Sequence, residues 1–200
     1  MKRIFTAIDI SDEARAKTTN YIENLRGAFP KVRVGWEQAE KLHLTLKFFG
    51  DIDEKQLENL TEAVENAASR ISNFKLQISG TGVFPAVGRA RILWLGLKEE
   101  TGSLKNLYEI FETECEQIGF PKDKRNFNPH LTIARLREPN KAVELIGFHT
   151  KSKFVSLSFD ARELIVFQSR LQSSGSEYTK IFSAPFAKSR FSIDINNAEE

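Results

Sequence analysis

The chain has 200 residues, 40% of them hydrophobic and 28% charged, which is enough length and apolar content for one sizeable core. A net charge of +2 with ordinary hydrophobicity excludes a largely disordered chain and argues against a basic coat for long duplex DNA. The single Cys115 excludes a disulfide scaffold, and no apolar run is long enough to span a bilayer.

Taken in order, Met1-Lys2-Arg3 leads straight into a strand-like run, Ile4-Phe5-Thr6-Ala7-Ile8-Asp9. No signal-peptide pattern precedes it, so the chain is expected to be cytoplasmic. Ser11 is placed to cap a helix running to about Gly27, where glycine supplies the stop. His43-Leu44-Thr45-Leu46 reads as the next strand, and Asp53 to Ser69 has helical spacing at Leu57, Leu60 and Val64. Phe74 to Ile78 alternates as a strand, and Gly80-Thr81-Gly82 reads as a turn. Arg91-Ile92-Leu93 opens another strand, and Thr101 or Ser103 caps a helix to about Gly119, before Pro121. His130-Leu131-Thr132-Ile133 follows, then a shorter helix from Asn140 to Phe148. Three further strands run from Phe154 to Phe159, Arg162 to Leu171, and Tyr178 to Phe182. Corresponding marks recur at an offset of 87 or 88 residues. The expected fold is therefore α+β and bilobal. Residues 1–186 form one internally repeated domain of pseudo-two-fold related antiparallel sheets with flanking helices, and 187–200 form a polar tail that frays.

Two of the three histidines sit in the same context, His-Leu-Thr followed by an aliphatic residue. In a strand, positions i and i+2 share a face. His43 and Thr45 therefore project together, as do His130 and Thr132, while Leu44, Leu46, Leu131 and Ile133 face the core. Two such pairs across a groove present two groups that titrate near neutral pH and two hydroxyl donors, the equipment of general acid–base chemistry at a phosphoryl group. Arg135 is the guanidinium nearest this motif, but strict alternation turns it to the opposite face unless a bulge brings it back. Lys47 falls on the Thr45 face by parity. Lys122, Lys124 and Arg125 form either a contact for a polynucleotide backbone or a solvated loop. Phe5, Trp36, Phe49 and Phe127 offer rings for stacking a base or for filling the core. His149 lacks the motif and is assigned no role.

Metal chemistry has less support, because two histidines fall short of the three protein ligands of a hydrolytic zinc site and no His-Glu-x-x-His spacing occurs. A Ser or Cys nucleophile lacks its usual elbow or His neighbour, and no phosphate-binding Walker loop appears.

These motifs resemble the 2H phosphoesterase superfamily, and within it the bacterial and archaeal RNA 2′,3′-cyclic phosphodiesterases, also called 2′-5′ RNA ligases. The resemblance runs from Arg3 to about Phe186. It is carried by Arg3-Ile4-Phe5-Thr6-Ala7-Ile8-Asp9, Leu42-His43-Leu44-Thr45-Leu46-Lys47-Phe48-Phe49-Gly50, Gly82-Val83-Phe84-Pro85, Arg91-Ile92-Leu93-Trp94 and Phe127-Asn128-Pro129-His130-Leu131-Thr132-Ile133-Ala134-Arg135, with a late Tyr178 after Gly175. It implies a central cleft lined by the two His-x-Thr strands and metal-independent opening of a terminal 2′,3′-cyclic phosphate to a 2′-phosphate, without cofactor. His43 would be the proton donor and His130 the acceptor. Thr45 and Thr132 would hold the non-bridging oxygens, and Arg135 would bind the phosphate. The implied partners are RNA ends or nucleoside 2′,3′-cyclic phosphates, with no membrane and no metal, for a protein expected to be monomeric. The ligase activity would join a 2′,3′-cyclic end to a 5′-hydroxyl, giving a 2′-5′ linkage. The competing readings are a nucleotide- or RNA-binding module without turnover, and a 2H enzyme for a small cyclic nucleotide or ADP-ribose derivative. The family often carries a second aromatic where this chain has Thr6, which weakens a stacking role for the first strand.

Overall fold

The computed structural model describes residues 1–173 and 175–188. Strand β1 (Lys2–Asp9) leads into helix α1 (Asp12–Ala28), where the Ser11 hydroxyl accepts from the Ala14 N–H. The helix runs through Gly27 and ends before Pro30. A short strand β2 (Val34–Trp36) precedes β3 (His43–Ile52) and α2 (Glu54–Ser69). Asp53 and Gln56 cap α2 reciprocally, so two of its free N–H groups are satisfied. Then come β4 (Phe74–Phe84), β5 (Ile92–Lys98) and α3 (Ser103–Gln117). The start of α3 differs from the expectation. Gly102, in the left-handed region at φ 80°, is its N-cap, and the Glu99 carboxylate reaches forward to accept from the Leu104 N–H. The remaining elements are β6 (His130–Leu136), α4 (Val143–Lys151), β7 (Leu157–Ala161), β8 (Glu163–Gln172) and β9 (Gly175–Pro185).

Among the described residues the strands form one nine-stranded sheet in the order β7-β4-β5-β6-β3-β1-β8-β9, with β2 alongside β6. Every named strand pairing is antiparallel. Among the described residues the fold is α+β, with four α-helices on a curled antiparallel sheet. From the junction of β3 and β6, the order runs β3-β1-β8-β9 on one side and β6-β5-β4-β7 on the other. The junction is a single paired position, Leu44 with Leu131. The strand after α2, β4, crosses to pair with β5, while β8 returns to pair with β1. The β6-β5 side therefore takes β4 from the first half of the chain, and the β3-β1 side takes β8 and β9 from the second.

Ile4, Ile8, Leu44, Leu131, Leu60, Val64, Leu107 and Phe111 belong to one buried apolar cluster under the helices. Two expectations are corrected here. Gly80-Thr81-Gly82 is not a turn but an irregularity inside β4, where pairing passes from Ile78–Leu97 to Thr81–Leu95 and Gly80 takes φ 80°. The tail does not begin free, because Ala187 exchanges backbone bonds with Ile71 and Asn73. Positions 189–200 of the expected tail lie outside the described residues.

Candidate active site

His43 and His130 open the two strands that meet at the Leu44–Leu131 pair, so they flank the junction of the sheet. Leu44 and Leu131 are fully buried on the helix side, while His43, Thr45, His130 and Thr132 are half-buried on the opposite face. Antiparallel register about that pair sets His43 toward Thr132 and Thr45 toward His130, which makes a four-cornered group.

The two rings are held in the same way. His43 Nδ1–H donates to the Lys41 carbonyl at 2.7 Å, and His130 Nδ1–H donates to the Asn128 carbonyl at 2.7 Å. A carbonyl only accepts, so each bond fixes the proton on Nδ1 and leaves Nε2 for chemistry. The Thr45 hydroxyl lies 2.9 Å from His43 Nε2 and donates to it while the ring is neutral. Among the described residues, His130 Nε2 meets no hydrogen-bond partner. Burial pushes the His43 pKa down from 6.5 to about 4, against the pull of the Lys41 carbonyl and Asp9, with Arg135 and Arg15 adding to the drop. Burial also lowers His130, the Asn128 carbonyl opposes it, and Arg135 lowers it further.

Arg135 therefore bears on both rings, and a bulge is the reason. Pairing with β5 passes from Leu93–Ala134 to Trp94–Thr132, skipping Ile133, and the next two apolar residues, Ile133 and Ala134, are both buried. This inverts the alternation and returns Arg135 to the face of His130 and Thr132. The Glu37 N–H takes up the Ile133 carbonyl at 2.9 Å. Arg135 also acts on Tyr178, which entered only through the resemblance, and on Glu37, a neighbour the sequence did not single out.

The same bulge occurs in the other motif. Pairing with β1 passes from Thr6–Lys47 to Ala7–Thr45, skipping Leu46. Parity fails for Lys47 as a result. Its side chain is 6% exposed on the helix side, ion-paired at 2.6 Å with Glu112, itself 6% exposed. Lys47 also donates to the Pro121 carbonyl, and Glu112 accepts from the Asp123 N–H. It adds no field to the cleft, and it ties β3 to the loop leading to His130. Phe48 takes the cleft position in its place, 62% exposed, at the point corresponding to Arg135 in the second motif.

The aromatic candidates sort by face. Phe5 is 1% exposed and stacks under the His43 ring at 4.9 Å, with Phe167 and Tyr178 around it, so it supports the imidazole rather than a base. Thr6 points to the helix side, so the missing aromatic does not alter the cleft. Phe49 packs on Phe111 and Phe120 in the core, Trp36 lies half-buried beside β6, and Phe127 stacks on Tyr108 at 4.2 Å. Lys122 and Arg125 are paired with Glu116 and Asp123 on an exposed loop, the solvated alternative.

His149 proves to be structural. The last helix starts three residues later than expected, and this puts His149 on its buried stripe with Leu145 and Ile146. Its Nε2–H donates to the Gly82 and Trp94 carbonyls, and Nδ1 accepts from the Tyr21 hydroxyl at 2.9 Å. Cys115 is fully buried, with its thiol pushed up to about 12 by burial, and has no nucleophilic character. Among the described residues, no three His, Cys, Asp or Glu side chains gather at metal-binding distance, and no helix is long and apolar enough to cross a membrane.

A family model described as LigT-like phosphoesterase matches the chain twice, over residues 8–94 and 95–178. The chain is 30% identical over 177 residues to an RNA 2′,3′-cyclic phosphodiesterase of Archaeoglobus fulgidus, covering 88% of this chain and 96% of that one. It is 31% identical over 180 residues to the protein of the same name from Methanothermobacter thermautotrophicus, covering 88% and 95%. Among solved structures, a Thermus thermophilus protein, TT0787, matches with a TM-score of 0.77 at 23% identity, covering 93% of this chain and 98% of that one. E. coli LigT complexed with 3′-AMP matches at 0.71 and 22% identity, covering 94% and 99%. These last two are likenesses of fold.

Proposed function

The chain belongs to the LigT-like phosphoesterase family, and from that premise we propose that it is an RNA 2′,3′-cyclic phosphodiesterase that opens the terminal cyclic phosphate to a 2′-phosphate by two-histidine acid–base catalysis. The observation that carries this reading is the matched pair of imidazoles at the β3–β6 junction, each with Nδ1–H bound to a carbonyl two residues upstream. With both Nδ1 sites occupied, each ring exchanges its second proton only at Nε2.

In the proposed reaction His130 Nε2 takes a proton from water as the oxygen attacks phosphorus. The bond from phosphorus to the 3′-oxygen breaks, and His43 returns a proton from Nε2 to that oxygen. The Thr45 and Thr132 hydroxyls and the Arg135 guanidinium offset the charge that accumulates on the non-bridging oxygens. Replacing water by a ribose 5′-hydroxyl and running the same steps gives a 2′-5′ linkage, so the ligase direction needs no additional group.

The test is turnover of a nucleoside 2′,3′-cyclic phosphate by wild type, His43→Ala and His130→Ala. Each substitution should lower the rate about 10²- to 10⁴-fold. Near wild-type turnover in either would remove that histidine from the mechanism.

A further inference from the structure

Each open-face imidazole is aimed by one peptide plane, because its Nδ1–H donates to a carbonyl two residues upstream. The two planes are fixed by different means. On the His130 side the plane joins Asn128 to Pro129, whose ring holds φ at about −65° and carries no N–H. The Pro129 carbonyl accepts from the Leu97 N–H at 3.0 Å, so proline and a strand neighbour together hold the backbone before His130. On the His43 side the plane joins Lys41 to Leu42, at the end of a 3₁₀ turn (Ala39–Lys41). Among the described residues that turn pairs with no strand.

A side chain on α1 supplies the missing anchor. The Arg15 guanidinium donates to the Ala39 carbonyl and, at 3.4 Å, to the Leu42 carbonyl. It also reaches the Ile10 carbonyl at 3.5 Å and the Asp9 carboxylate at 2.5 Å. The Ala39 oxygen is shared, since it accepts from the Leu42 N–H at 3.2 Å as well. That N–H lies in one plane with the Lys41 carbonyl, which points the other way and accepts from His43 Nδ1–H at 2.7 Å. Arg15 thus grips the plane at its N–H end through Ala39, and grips the next plane through the Leu42 carbonyl. A planar fork of five donors suits this task. The placement runs against local electrostatics. Arg15 is the fourth residue of α1, near the helix end where the dipole disfavours a cation. Asp9 offsets part of that cost, but an ion pair alone would not need the three carbonyls.

We propose that Arg15 is a positioning residue for His43: it holds the turn that carries the Lys41 carbonyl, and through that carbonyl it sets the orientation and tautomer of the ring. Without the guanidinium the Lys41–Leu42 plane is free to tip, and Nδ1–H loses its fixed acceptor. The neutral imidazole then divides between its two tautomers, and Nε2 no longer points steadily at the leaving oxygen. The effect on rate rests on the phosphodiesterase reading, whereas the effect on the ring does not.

The experiment follows ring and rate separately in wild type, Arg15→Gln and Arg15→Lys. Protein labelled with nitrogen-15 at histidine is read by NMR at neutral pH, where the two imidazole tautomers have distinct shifts. Wild type should show Nδ1–H at His43 and His130 and Nε2–H at His149. In Arg15→Gln the His43 signals should move to a mixture of tautomers, while His130 and His149 keep theirs. On adenosine 2′,3′-cyclic phosphate kcat should fall about 10²-fold, the scale of a misplacement of about 1 Å, with KM near wild type. Arg15→Lys keeps the charge without the fork, and should show a smaller change of both ring and kcat. Unchanged His43 signals in Arg15→Gln, with His149 still reporting an intact fold, overturn the proposal whatever the rate does. A moved tautomer with unchanged kcat overturns it too. If Arg15→Gln loses the His149 signals, Arg15→Lys decides by the same two criteria. A tautomer that moves in Arg15→Gln, when wild type itself does not turn over the cyclic phosphate, leaves Arg15 in its role at the ring and removes the phosphodiesterase reading.

Discussion

A histidine acts according to which nitrogen is occupied, and here the chain uses all three of its histidines in two opposite ways. His43 and His130 spend Nδ1–H on a carbonyl and keep Nε2 for the open face, whereas His149 spends Nε2–H on two carbonyls and takes the Tyr21 hydroxyl at Nδ1. The first arrangement leaves a site for proton transfer, and the second leaves none. Burial lowers both open-face imidazoles, His43 to about 4. If one ring must be neutral and the other charged, the free enzyme loses its charged ring as pH rises through a pKa below 6.5. The bell in kcat/KM should therefore have its maximum on the acid side of 6.5, measured on a nucleoside 2′,3′-cyclic phosphate with chemistry rate-limiting. A level profile from pH 5 to 9 would remove the acid–base pair. Thr45→Val keeps the shape but deletes the hydroxyl at His43 Nε2, and should lower kcat about 10²- to 10³-fold if that hydroxyl serves the developing oxyanion. A loss confined to KM would restrict Thr45 to substrate binding.

At the scale of the element, the His-x-Thr parity was legible because it spans three residues and needs only regular strand geometry. The next positions were not, since a bulge at Leu46 and another at Ile133 inverts the alternation. That inversion brings Arg135 to the open face and takes Lys47 away from it. The adjacent apolar pair Ile133-Ala134 breaks period two and is the local sign of one bulge. Nothing comparable marks the other, because Leu46-Lys47 reads as ordinary alternation. The exchange of β4 and β8 between the two sides of the sheet was equally hidden, since pairing between distant strands leaves no periodic trace in either one. Lys47 shows what the bulge is for structurally: its ammonium is sealed against Glu112, and together they hold Pro121 and Asp123 on the loop before His130. Lys47→Met leaves a buried carboxylate unpaired and should cost about 3–5 kcal/mol in urea unfolding, with much of it recovered in Lys47→Met/Glu112→Leu. A loss below about 1 kcal/mol, the range of exposed pairs, would show that the pair is solvated in solution.

Across the whole molecule, the sheet's two sides touch through one paired position, and the candidate catalytic groups stand around it, two from each side. The half-buried histidines, whose pKa values desolvation lowers, make that assembly sensitive to acid. A group whose folded pKa lies below its unfolded value binds fewer protons when folded, so stability is full above 6.5 and falls as pH drops toward the folded pKa. For His43 the window runs from 6.5 to about 4 and amounts to about 3 kcal/mol. Urea unfolding of wild type and His43→Asn at pH 7 and pH 4.5 should show the smaller acid loss in the variant, and equal losses would mean that His43 titrates normally in the fold. The most direct measurement of the account is the product formed from a short RNA ending in a 2′,3′-cyclic phosphate, followed by phosphorus NMR in excess EDTA. Conversion to a 2′-phosphate alone is expected. A 3′-phosphate product, or turnover that stops in EDTA and returns with zinc or manganese, would contradict it.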